Sequence, residues 1–177
     1  MKYRDFVLPC IAMFMCAATP AFAGDQDRDH GQGCHAVNGN IFEVQIATLT
    51  GEPRVLGPTT GALKGGNSSA LKVETLRIGP GGVITADTVD TFVTASGDML
   101  VANGHATFTP IPGEAPGEVI DNLTLEIDGA HSTGEFAGTT GTIQVTGVGH
   151  QFPPNPAFGG PGKTSFELRY SGAICKP

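Results

Sequence analysis

The sequence predicts an all-β protein, an antiparallel up-and-down β-barrel of about eight strands. Apolar and polar residues alternate with a period of two over several segments, which is typical of half-buried strands. Glycine is dense, at 26 residues in a chain of 177, and no segment keeps the apolar period of a long helix. Short turns separate the strand patterns, and closure into a barrel removes the exposed sheet edges. A β-sandwich requires the same alternation and stays the alternative.

The first strand pattern follows residue 40. Phe42, Val44 and Ile46 alternate with more polar neighbours, and we expect Phe42 and Val44 to point into the core. Residues 52–69 contain Gly-Pro and Gly-Gly steps. Such steps are typical of loops, so this segment predicts a long loop that contains at most one short strand.

The remaining strand patterns are separated by Gly-rich turns. Residues 71–78 alternate with a shift of parity by one, which predicts a strand with a bulge. Residues 83–94 are rich in Val and Thr, and small interior residues such as Ala102 and Gly104 leave room for a modest cavity. The later apolar faces are Leu100, Ala102, Ala106 and Phe108; Val119, Leu123, Leu125 and Ile127; Ile143 and Val145; and Phe166, Leu168, Tyr170 and Ile174.

Residues 1–23 match a secretory signal peptide. A basic start is followed by an apolar run at 6–18, and Ala21 and Ala23 occupy the positions that a signal peptidase reads. The run is too short to cross a bilayer. The sequence therefore predicts cleavage before Gly24 and a secreted or periplasmic protein.

Cleavage would leave a polar N-terminal tail at 24–39 and a single barrel domain at 40–177. A lipidated start at Cys16 is the alternative, but the bulky residues before it argue against it. The net charge of the chain is −7, and an acidic domain is repelled by nucleic acid and by anionic membrane surfaces. No second apolar run reaches spanning length. We therefore expect no nucleic-acid partner and no membrane span, and the oligomeric state stays open.

Two cysteines, Cys34 and Cys175, remain after cleavage and lie near the two ends of the chain. In an oxidising compartment an isolated pair usually forms a disulfide. The first and last strands of an even-stranded barrel are neighbours, so the chain ends can meet. Two free thiols are the alternative, and a zinc site with His35 lacks the usual C-x-x-C spacing.

Residues 134–142, Gly-Glu-Phe-Ala-Gly-Thr-Thr-Gly-Thr, resemble the GTGxFAGATG stretch of exported bacterial proteins similar to the allene oxide cyclase and dirigent barrels. The resemblance implies an eight-stranded antiparallel barrel with a hydrophobic cavity. None of the catalytic groups of those families aligns here, so it implies a fold and a ligand cavity rather than an activity. From the residues alone, Gly138 and Gly141 predict a sharp bend that Phe136 anchors in the core.

Asp121 and Tyr170 are the candidate ligand contacts. Asp121 shares the parity of Leu123 and Leu125. It therefore either points into an apolar interior, where burial raises its pKa, or lies at the rim in water. Tyr170 shares the face of Leu168, and its hydroxyl reaches either a ligand or a backbone partner.

The sequence contains no recognisable catalytic or metal-binding motif. No serine lies in a nucleophile elbow, and His105, His131 and His150 fall on separate segments. We therefore expect no metal and no cofactor. The sequence predicts an exported β-barrel, not an enzyme, that binds a small apolar ligand in its interior. The alternatives are a cyclase- or dirigent-like enzyme that steers a reactive lipid or phenolic intermediate, and a structural or adhesion module with a filled interior.

Overall fold

The computed structural model describes residues 33–46, 53–114, 118–152 and 163–176. The predicted signal peptide and its cleavage site lie outside these residues. So does the predicted polar tail up to residue 32.

The described residues form nine strands and four short 3-10 turns. The strands are β1 (Cys34–Ile46), β2 (Arg54–Thr59), β3 (Gly65–Leu71), β4 (Arg77–Ile78), β5 (Ile84–Thr94), β6 (Met99–Pro110), β7 (Val119–Ile127), β8 (Thr140–Phe152) and β9 (Lys163–Cys175). The turns are Gly61–Leu63, Val73–Thr75, Pro80–Gly82 and Gly134–Phe136.

Eight of the strands form a closed antiparallel barrel. Each barrel strand pairs with the next one along the chain, β3 pairs with β5, and β9 pairs back to β1. The short strand β4 pairs with β5 outside this ring. The predicted barrel is therefore confirmed, and the sandwich alternative is excluded because the β3–β5 and β1–β9 pairings leave no open edge in the ring.

The segment at 52–69 forms two barrel strands, β2 and most of β3, rather than the predicted loop. The glycine in β2 was interpreted as a loop residue, and the structure shows a different role for it. A Cβ atom at Gly57 would collide with the backbone carbonyl of Phe42 on β1. Glycine therefore lets two strands approach closely here, which its turn propensity does not reveal. The predicted bulge near residue 73 is the turn Val73–Thr75 between β3 and β4.

The interior face of β1 is the opposite of the predicted one. Phe42 and Val44 are 46% and 52% exposed, whereas Ile41 and Glu43 are buried. Period-two alternation defines two faces of a strand but does not say which one is interior when both carry apolar residues.

Strand β1 begins at Cys34, inside the segment that the sequence pattern assigns to the tail. Cys34 and Cys175 face each other across β1 and β9 with a Cα–Cα distance of 3.9 Å, and they form a disulfide. The predicted disulfide is confirmed, and it marks one end of the barrel, called the disulfide end below.

The half of the barrel toward the disulfide end is filled with side chains. Tyr170, Phe92 and Leu100 are fully buried there, together with Ile41, Leu63, Leu125 and Ile143. The rings of Phe92 and Tyr170 pack at a centroid distance of 6.2 Å. Leu63 comes from the turn Gly61–Leu63, which joins β2 to β3. This packed half forms the floor of the other half.

The segment 134–142 forms a bend at the disulfide end of the barrel. Gly138 and Gly141 have φ values of +72° and +139°, which glycine adopts far more readily than other residues. Phe136 is buried, and its carbonyl accepts a hydrogen bond from Thr139 Oγ1 at 2.7 Å. The predicted bend and its aromatic anchor are confirmed.

Candidate ligand cavity

A cavity of about 190 Å³ lies inside the barrel at the end opposite the disulfide. Its lining comes from the last residues of β1, β3 and β6 and from the first residues of β2, β5, β7 and β9. Ala106 on β6 lines this cavity and presents only a methyl group, which leaves space at this end of the barrel.

The cavity wall is mostly apolar. Phe108 and Phe166 approach each other with ring centroids 6.1 Å apart, which is within the favourable range for an aromatic pair. Leu123 and Leu168 complete this wall together with Ala106. Such a surface suits an apolar ligand or an apolar part of one.

Asp121 is a buried carboxyl that faces this apolar wall. It is 5% exposed, and it lies directly opposite Phe108 in the β6–β7 pairing. Its Oδ1 atom is buried and has no hydrogen-bond partner in the described part of the chain. Burial, and secondarily the nearby charge of Asp90, raises the pKa of Asp121 to about 7. Of the two positions that its parity left open, the structure shows the interior one.

Glu43 on β1 is a second cavity carboxyl. It is 4% exposed, and it accepts a hydrogen bond from the side-chain amide of Asn67 on β3. Burial, together with the charges of Asp90 and Asp121, raises the pKa of Glu43 to about 8, although the hydrogen bond from Asn67 acts in the opposite direction. At neutral pH this carboxyl is largely protonated and can itself donate a hydrogen bond.

Asp90 on β5 is fully buried and interacts with both cavity carboxyls. Thr88 Oγ1 donates a hydrogen bond to its Oδ2 at 2.5 Å. Burial raises its pKa to about 6, and hydrogen bonds from Thr88 and Ser69 oppose that change. Glu43, Asp90 and Asp121 are called the carboxyl cluster below.

No cation is paired with the carboxyl cluster in the described part of the chain. The ion pairs there join His105 to Asp87, His131 to Asp128 and His150 to Glu118. Arg54 lines the cavity, but its guanidinium donates to Ser68 Oγ at 3.4 Å. Uncompensated buried carboxyls are costly, and perturbed groups in a cleft are typical of functional sites.

Tyr170 lies in the packed floor rather than in the cavity wall. It is 2% exposed. Its hydroxyl donates to the Thr60 carbonyl at 2.8 Å and accepts from the Leu63 backbone N–H at 2.7 Å. Burial raises its pKa. The structure therefore separates the two candidate residues: Asp121 lines the cavity, and the hydroxyl of Tyr170 reaches backbone partners.

Glu43 and Asp90 are interior carboxyls that were not predicted from the sequence. For Asp90 a signal was present, because it shares its parity with Ala86, Thr88 and Phe92, and all four are buried on β5. For Glu43 the signal was misleading, because the apolar side chains of Phe42 and Val44 predicted that their own face was interior and that Glu43 was exposed. The interior face of β1 can hold the polar side chain of Glu43 because this side chain borders the cavity.

Within the four described ranges, no group of three or more His, Cys, Asp or Glu side chains is arranged to hold a metal ion. The same residues include no helix that is long and apolar enough to cross a membrane. Comparisons with known protein families, with curated proteins and with solved structures find no match for this chain.

Proposed function

We propose that this protein is exported and binds a small apolar ligand in the cavity opposite the disulfide. One observation carries the proposal. An apolar chamber inside the barrel is lined by Asp121, whose buried Oδ1 has no hydrogen-bond partner in the described part of the chain. Buried polar groups are almost always satisfied in folded proteins. A ligand that fills the chamber and supplies the missing hydrogen-bond donor accounts for both features.

The size of the cavity supports a ligand with a single ring. An engineered apolar cavity of about 150 Å³ accommodates benzene, whereas drug-sized ligands occupy about 300–1,000 Å³. At about 190 Å³, this cavity suits a ring with a short substituent. The aromatic wall of Phe108 and Phe166 supplies contacts of the right kind for such a body.

Export is supported by the N-terminal sequence and by the disulfide. Residues 1–23 combine a basic start, a short apolar run and a small-residue cleavage motif. Disulfides persist mainly in oxidising compartments, and the Cys34–Cys175 disulfide joins the two terminal strands of the barrel. Both observations agree with a secreted or periplasmic location.

A second candidate is an enzyme related to the allene oxide cyclase or dirigent barrels. It is favoured by the resemblance of residues 134–142 and by the pKa of Asp121 near neutrality, which suits a general acid or base. Residues 134–142 lie at the disulfide end, and Asp121 lies at the cavity end. The sequence resemblance and the raised pKa of Asp121 are therefore separate observations in favour of this candidate. A purely structural module is less well supported, because its interior would be filled.

Ligand-detected NMR and calorimetry with toluene test the proposed function. The wild-type protein should bind toluene saturably. Ala106→Leu adds three carbon atoms inside the cavity, where they occupy space that the toluene ring needs. This variant should weaken toluene binding by at least about tenfold. Asn103→Leu adds the same side chain on the exposed face of the same strand and should bind like the wild type. Absence of saturable binding, or binding that Ala106→Leu leaves unchanged, contradicts the proposal.

A further inference from the structure

The carboxyl cluster gives the barrel interior an acidic character that an apolar ligand alone does not use. Three acidic side chains reach the interior from three strands, Glu43 from β1, Asp90 from β5 and Asp121 from β7. Buried acids are retained in proteins at a considerable cost unless a donor or a cation compensates them. The described residues place no cation against them. The missing partner is therefore a group that a ligand can supply.

The position of Asp121 decides which part of a ligand it can contact. It lies opposite Phe108 on β6 and opposite Gly147 on β8, and Gly147 in turn is paired with Leu168 on β9. Asp121 lines the cavity together with Phe108 and Leu168. Its Oδ1 is buried and has no hydrogen-bond partner in the described part of the chain, so this carboxyl has unused capacity to accept a hydrogen bond.

We infer that the ligand is a small primary amine with an apolar body, whose ammonium group binds the Asp121 carboxylate while its ring packs against Phe108 and Phe166. This inference rests on the proposed function, because it names the ligand class of the same cavity. An ammonium group offers three donors and a full positive charge. It can donate a hydrogen bond to the Asp121 carboxylate and at the same time balance the negative charge of the ionised cluster, whereas a neutral hydroxyl supplies only the donor.

The groups around Asp121 determine how such binding depends on pH. Asp90 and Glu43 face it from β5 and β1, and Arg54 lines the cavity on β2. The lining residues of β6 and β9 are apolar or hydroxylic. Asp121 and Glu43 hold protons near neutral pH because their pKa values are raised to about 7 and about 8. An entering ammonium group favours their ionised forms, so binding should release protons.

Calorimetry with three probes of one shape tests the ligand class. The probes are 2-phenylethylamine, the neutral 2-phenylethanol and the anionic phenylacetate. At about pH 8 the amine should bind at least about tenfold more tightly than the alcohol, as expected for a charge-assisted hydrogen bond. Its affinity should fall as the pH is lowered through the pKa of Asp121, whereas that of the alcohol should not fall. Repeating the amine titration in buffers of different ionisation enthalpy should reveal proton release.

Two matched variants locate the interaction. Asp121→Asn keeps the shape of the side chain but removes its charge, and it should reduce the preference for the amine over the alcohol to less than about threefold. Glu126→Gln makes the same change at an exposed position of the same strand and should keep the preference. If Asp121→Asn does not fold, the pH dependence and proton release of the wild-type protein decide the question.

The outcomes separate the two proposals. Equal binding of amine and alcohol, or tightest binding of phenylacetate through Arg54, overturns the amine inference and leaves the ligand cavity standing. Failure of all three probes and of toluene to bind overturns both. Amine binding that persists unchanged in Asp121→Asn overturns the assignment of Asp121 as the ammonium-binding group.

Discussion

The hydroxyl of Tyr170 accepts a hydrogen bond from the backbone N–H of Leu63 at 2.7 Å. This bond ties β9 to the turn between β2 and β3, and it satisfies a backbone group in the floor of the barrel. Tyr170→Phe removes the acceptor and leaves that N–H buried without a partner. We expect the free energy of unfolding to fall by about 1–3 kcal/mol, measured by urea denaturation.

The same variant tests whether Tyr170 is a ligand contact. Because its side chain lies in the floor, Tyr170→Phe should bind toluene as the wild type does. Thr142→Val, which removes a hydroxyl at an exposed position of β8, should leave both stability and binding unchanged. If Tyr170→Phe lost toluene binding while its stability was preserved, Tyr170 would be a ligand contact after all.

The carboxyl cluster should make the protein more stable in mild acid than in mild base. The folded-state pKa values of Glu43, Asp90 and Asp121 are raised to about 8, 6 and 7. Between the ordinary carboxyl range and about pH 8, the folded protein therefore holds more protons than the unfolded chain, and its stability falls as the pH rises. We expect the free energy of unfolding to fall by several kcal/mol between about pH 5 and about pH 8, since each of these carboxyls contributes about 1.4 kcal/mol for every pH unit over which only the folded state holds its proton.

Urea denaturation at a series of pH values measures this effect. Asp121→Asn removes one of the three titrating groups and should flatten the decrease, whereas Glu126→Gln should not. A wild-type stability that rises over the same interval would contradict the raised pKa values.

Adjacent residues on β1 give a sharp test of which face is interior. Ile41 is fully buried in the core, whereas Phe42 beside it faces outward and is nearly half exposed. Ile41→Ala should destabilise the protein by about 2–5 kcal/mol, and Phe42→Ala by less than about 1 kcal/mol. If Phe42→Ala were the more destabilising variant in thermal or urea denaturation, the face of β1 that carries Phe42 would be the interior one.

The disulfide should contribute strongly to stability, because it closes a loop with a sequence separation of 141 residues. In the chain-entropy model such a loop contributes about 4–5 kcal/mol. The Cys34→Ser, Cys175→Ser double variant should therefore unfold at much lower urea concentration than the oxidised wild type. Alkylation of the unreduced, unfolded protein should modify neither cysteine, and modification of both would contradict the pairing.

The barrel could be predicted from the sequence because its strongest signals are local. Alternation at Leu123 and Leu125 and the turns between strands follow from the pleat of each strand, and the disulfide follows from neighbouring terminal strands. Strands β2 and β3 could not be predicted in the same way. Their glycines serve close approach between neighbouring strands, as Gly57 does against Phe42, and a single sequence does not show which strands will touch.

The carboxyl cluster could be predicted only in part. Asp121 shares its parity with core residues, so an interior position was one of two alternatives. Glu43 could not be assigned, because exposed apolar residues flank it and the cavity that admits it is formed by seven different strands. A site that depends on where the barrel remains unfilled is a property of the closed structure, and alternation in one strand does not reveal it.

The most direct test of the ligand cavity is a crystal structure of the protein soaked with iodobenzene, in which the iodine is located by its anomalous scattering. We expect a peak inside the barrel at the end opposite the disulfide, between the rings of Phe108 and Phe166 and the carboxyl of Asp121. A peak found instead on the outer face beside Phe42, or none inside the barrel, would contradict it.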